Sequence, residues 1–76
     1  MRTEKTVNVI MIDEDGIVES IHAYPEHQVG NQEAEARFTR RVKSMEPLAD
    51  DEDIEDALDN GVFEKDGRSI QLVHSL

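Results

Sequence analysis

The sequence predicts a small α+β domain, in the order ββααββ, with a four-stranded antiparallel sheet covered on one face by two helices. Three observations carry this expectation. Apolar residues alternate with polar ones near both ends of the chain, and Asp-Gly pairs at 15–16 and 66–67 punctuate those runs. Between them lie two stretches with helical periodicity, separated by Pro47.

The N-terminal hairpin is expected over 6–24. Val7, Val9 and Met11 alternate with Thr6, Asn8, Ile10 and Ile12, the period-2 signature of a strand. Asp15-Gly16 reads as a type I′ turn, in which both central residues take positive φ. Ile17, Val18 and Ile21 supply the β-branched residues of a second strand, which Pro25 ends because it has no ladder donor.

After a loop containing Gly30, Asn31 is positioned to cap a helix over about 32–45. Ala34, Phe38, Val42 and Met45 share one arc of that helix, with Arg37, Arg40 and Lys43 on the opposite side. Glu33 stands four residues before Arg37, a favourable orientation for an ion pair. A second helix is expected over 51–60. It starts near Asp50 or Asp51, where a helix N-terminus favours negative charge, and Asn60-Gly61 supplies its stop. Ile54, Ala57 and Leu58 form its inner stripe.

Val62-Phe63, Asp66-Gly67 and the alternating Ser69–His74 give the second hairpin, over 62–74. Phe38, Val42, Ile54, Leu58, Val9 and Leu72 are the expected core. Ile10, Ile12, Val18 and Val73 should point to the other sheet face, leaving apolar surface that suits a partner or a homodimer.

All 76 residues fit one domain, 1–76, whose core is small for its surface. The chain has no cysteine, which excludes thiol catalysis and Cys-ligated zinc. A net charge of -10 opposes direct binding to nucleic acid or to anionic membranes and favours basic partners. No membrane span or signal-peptide core is visible in the sequence, so a cytoplasmic protein is expected.

Catalytic and metal-binding chemistry find little support. The "DEDG" at Asp13–Gly16 has the form of part of a calcium loop, but the first ligand position would be Met11 and the bidentate Glu position would be His22. His22 and His27 with Glu26 could offer nitrogen and oxygen ligands, but Tyr24-Pro25 makes that segment extended, and surface histidines are the simpler reading. Ser20 and Ser69 have no accompanying nucleophile motif, and no phosphate-binding glycine loop occurs. Neither an enzyme nor a bound cofactor is expected.

The most specific feature is "DDEDIEDALD". It places seven carboxylates in ten residues, from Asp50 to Asp59, with no base among them. On a helix this is about one charge per 2 Å, close to the roughly one per 1.7 Å of duplex DNA. Glu52, Glu55, Asp56 and Asp59 fall on the arc opposite the apolar stripe and are the primary candidate partner-binding residues. Asp13, Glu14, Asp15 and Glu19 add further acidic surface. The competing readings are an ordinary solvated helix face and neutralisation by Arg37, Arg40, Arg41 and Lys43.

From Glu35 to Val73 the pattern "EARFTRRVKSM…DEDIEDALDNGVFEKDGRSIQLV" resembles small acidic proteins of phages, plasmids and other mobile elements. That resemblance implies an interaction protein, comparable to anti-CRISPR and DNA-mimic anti-restriction inhibitors. Its partner would be a basic, nucleic-acid-binding protein or complex in the host cytoplasm. The alternative is an accessory or antitoxin-like subunit that binds its partner through the apolar sheet face.

Overall fold

The computed structural model describes residues 5–26 and 30–75. Its elements run β1 (Thr6–Ile12), β2 (Val18–Pro25), α1 (Gly30–Met45), α2 (Asp51–Asn60), β3 (Val62–Lys65) and β4 (Arg68–Ser75). The four strands form one antiparallel sheet in the order β2-β1-β4-β3, so the first and last hairpins meet at the β1–β4 pair. The expected α+β architecture is therefore the observed one.

Strand parity decides the faces. Val7 and Val9 on β1 and Ile70 on β4 are buried, with Met11 and Leu72 partly buried beside them. Against this face α1 lays Ala34, Phe38 and Val42, each fully buried, while α2 contributes Ile54 and Ala57. Of the expected core, Val9, Phe38, Val42 and Ile54 are buried, whereas Leu58 and Leu72 are only partly so. The reason for Leu58 is position: α2 packs chiefly against α1 and the edge strand β3, so its last turn has fewer neighbours.

The two Asp-Gly turns differ. Asp66 (φ 54°) and Gly67 (φ 83°) both lie in the left-handed region between the paired Lys65 and Arg68, which is the type I′ geometry. In the first hairpin only Gly16 has positive φ, at 80°, so the expected type I′ turn at Asp15-Gly16 does not form. Instead the Gly16 N–H donates to the Asp13 carbonyl at 3.0 Å, closing a turn around Glu14 and Asp15. The cause is the Asp13 side chain, whose Oδ1 accepts the N–H groups of both Asp15 and Ile17 at 2.9 Å. An Asp at the first turn position favours this three-residue form over the two-residue one. A bulge follows: Met11 faces Ser20 but Ile12 faces Val18, which leaves Glu19 as the extra residue.

Helix α1 begins at Gly30, so Asn31 lies inside its first turn and is not its cap. The Asn31 Oδ1 is buried without a partner among the described residues. The earlier start follows from a close approach. A Cβ at Gly30 would overlap the backbone carbonyl of Pro25, which itself pairs with Thr6 as the last residue of β2. Only glycine lets the helix start against the strand end.

Between the helices, the Glu46 carboxylate takes the Lys65 ammonium of β3 and the Leu48 N–H. The Lys65 hydrogen bond, helped by the Leu48 N–H, holds its pKa below the ordinary value of 4.5. A depressed carboxyl stabilises the fold above that ordinary value, and the contribution is lost as pH falls through the folded-state value. Glu46→Gln should therefore be less stable than wild type at neutral pH, with the gap closing below 4.5 in denaturant titrations.

Candidate functional site

Helix α2 shows how its acids divide. Asp50 is the N-cap: its Oδ1 accepts the Asp53 N–H at 2.9 Å, while the Asp53 carboxylate accepts the Asp50 N–H at 3.3 Å. This reciprocal capping box satisfies two otherwise orphaned donors, and with Asp51 and Glu52 it puts negative charge at the positive end of the helix. At the other end, Gly61 (φ 72°) returns its N–H to the Ala57 carbonyl, and its own carbonyl accepts the Leu72 N–H of β4 at 2.8 Å. The helix is thus held at both ends, and its outward face is fixed relative to the sheet.

On that face Glu52, Glu55, Asp56 and Asp59 are all exposed. None makes an ion pair or side-chain hydrogen bond among the described residues. Asp56 also borders a cleft of about 230 Å³ between α2 and β3, where Glu46, Asp53 and Glu64 join it. Acids thus border the cleft from the helix and from the edge strand. The wheel could not show this, because Glu64 comes alongside only through the α2–β3 packing.

The second acidic group has a different place and different duties. Asp13 closes its turn as described, and Glu19 pairs with Arg68 of β4 at 3.1 Å. Glu14 and Asp15 are exposed. Asp13, Glu14 and Asp15 sit in the β1–β2 connection and Glu19 in β2, whereas α2 borders β3, the strand at the far edge of the sheet from β2. The structure does not gather all eight candidate acids into one cluster.

The bases of α1 do not neutralise α2. Among the described residues the ion pairs are Lys65–Glu46 and Arg68–Glu19. Arg37 is the correction to the wheel: it is half-buried, its Nε donates to the Tyr24 hydroxyl at 2.5 Å, and its Nη1 lies 3.5 Å from His22 Nε2. The expected Glu33–Arg37 pair is not among the ion pairs, because the long Arg37 side chain turns back across β2. Arg37, Arg40, Arg41 and Ser44 line a shallow cavity of about 280 Å³ on α1.

Among the described residues no three His, Asp or Glu side chains converge as metal ligands, and His27 lies outside those residues. No described helix is long and apolar enough to cross a membrane. No family model matches the chain, and no curated protein or solved structure is significantly similar to it.

Proposed function

We propose that this protein is a non-enzymatic interaction module whose α2 carboxylates occupy a basic surface on a nucleic-acid-binding partner. One observation carries the reading. Glu52, Glu55, Asp56 and Asp59 stand exposed and, among the described residues, unpaired on a helix fixed at both ends, while the neighbouring Asp50 and Asp53 are taken up by the capping box. A rigid row of four carboxylates over about 12 Å of helix, roughly one per 3 Å and near the roughly 3.4 Å charge spacing along a single DNA strand, suits arginine and lysine side chains that otherwise hold phosphates. Inhibition of a host defence complex in the cytoplasm, in the manner of the mobile-element inhibitors that the sequence resembles, is the biological role this chemistry fits.

The test is capture from a lysate of the source cells by immobilised wild-type protein and by Glu55→Lys/Asp56→Lys. Both positions are exposed, so the fold should survive the charge reversal. The expected result is a basic nucleic-acid-binding protein held by wild type, lost on charge reversal and released by added duplex. A partner retained by the reversed variant but lost on Val18→Lys/Ile21→Lys would favour the second reading, contact through the sheet. That reading rests on the exposure of Val18, Ile21 and Val73 on the face away from the helices.

A further inference from the structure

The sheet face opposite the helices has a composition that solvent exposure alone does not explain. Across the four strands, Ile21, Ile10, Gln71 and Val62 form one row in register, and Val18, Ile12, Ser69 and Glu64 form the next. A third row runs Ala23, Asn8, Val73. In a chain with 34% charged residues, these eleven positions hold one charge, Glu64, at the β3 edge. Val18 is 49% exposed, Ile21 58% and Val73 37%. Antiparallel sheets that face water on one side ordinarily fill that side with polar residues.

We infer that this face is a homodimer interface, in which a second copy stacks its own sheet face to face. Three arguments select a second copy as the occupant. The first is charge. A nearly uncharged apolar surface is complementary to itself under a two-fold axis, as an isologous contact requires. A basic partner, by contrast, would find one carboxylate here and the acids elsewhere.

The second is repulsion between two chains of net charge -10. Both helices pack on the opposite face, so stacking the sheets places the two helical layers outermost. At about 10 Å per packed layer the α2 helices lie roughly 30 Å apart, nearly four Debye lengths of about 8 Å at physiological salt. The acids do not forbid this particular contact.

The third is area. Four strands about 4.8 Å apart, each with about seven residues at roughly 3.3 Å, give a footprint of about 440 Å². Two such faces cover about 900 Å² of flat area, near the roughly 1,000 Å² at which specific contacts begin. The dimer is therefore a weak one, and concentration controls it.

The measurement is sedimentation of the full chain from about 5 µM to about 1 mM, which brackets weak association. Wild type should shift from 8.6 kDa toward twice that mass across the range. Val18→Lys/Ile21→Lys should remain monomeric throughout. Two added lysines bring the net charge from -10 to -8, so that loss could not come from greater long-range repulsion between the chains. Glu55→Lys/Asp56→Lys should dimerise at least as well as wild type, which separates this inference from the reading of α2. Concentration-dependent amide shifts, needing no variant, should map to β1, β2 and β4 and spare both helices. Wild type that stays at 8.6 kDa at the highest concentration overturns the inference. So does a folded Val18→Lys/Ile21→Lys protein that associates like wild type, or a shift map centred on α2.

Discussion

Replacing Phe38 with alanine is expected to remove a large part of the protein's stability at 25 °C. Phe38 is fully buried at the centre of the α1 stripe, between Ala34 and Val42 and within the same cluster as Val7, Val9 and Ile70. Truncating such a phenylalanine costs about 3–5 kcal/mol, the lost transfer energy plus the cavity left behind. At roughly 0.05–0.15 kcal/mol per residue, a domain of this length has only about 4–11 kcal/mol to lose. The core has few other large side chains to close the gap. Urea titration followed by circular dichroism should show the transition displaced to much lower denaturant. Leu58→Ala is the contrast: its partly buried side chain should cost only about 1–2 kcal/mol. Equal losses at the two positions would mean that α2 sits deeper in the core than described.

Gly30→Ala should be the second most damaging change, although it removes nothing. The added methyl group would overlap the Pro25 carbonyl, a Cβ fixed by its own backbone against a backbone group that cannot swing aside. Relief requires moving either the start of α1 or the end of β2, and Pro25 is held by its pairing with Thr6. A loss on the order of 3 kcal/mol is expected, equivalent to roughly 12–24 °C in melting temperature for a domain this small. Gly16→Ala provides the comparison. Nothing lies near its Cβ position, so it suffers only the left-handed backbone strain of about 1–2 kcal/mol. A Gly30→Ala protein as stable as wild type would show that the junction of β2 and α1 is looser than its geometry implies.

The contrast between these positions shows what the sequence could disclose. Local chemistry was readable in part: the ends of α2 follow from Asp50 and Gly61, and the Asp66-Gly67 turn from its pair, whereas the same pair at Asp15-Gly16 yields to the Asp13 side chain. Features created by chain segments meeting in space were not. Gly30 looked like an ordinary loop glycine because its reason, the Pro25 carbonyl, is brought up by the return of the chain. The wheel turned Arg37 outward, yet its side chain is long enough to reach Tyr24. Val18 and Ile21, three residues apart, would fall on opposite faces of a regular strand. They share the outer face because the bulge at Glu19 shifts the register, and that bulge is set by the Asp13 turn.

The acidic site was legible as a face but not as a division of labour. Seven carboxylates in a row give no sign of which ones serve the helix. The capping box assigns Asp50 and Asp53 to the fold and leaves Glu52, Glu55, Asp56 and Asp59 outward. Likewise, nothing in the spacing of Glu19 indicated its pairing with Arg68, 49 residues away.

The central claim is that these four outward carboxylates stand in for phosphates, and the most direct measurement is affinity for the captured partner at low salt. Wild type should bind in competition with duplex or guide RNA and weaken steeply as salt rises, because exposed charge pairs are screened over about 8–10 Å. Glu55→Lys/Asp56→Lys, with its fold intact, should bind about 100-fold more weakly or not at all, the scale of reversing charges in a close-paired contact. Unchanged low-salt affinity in that variant would contradict the account.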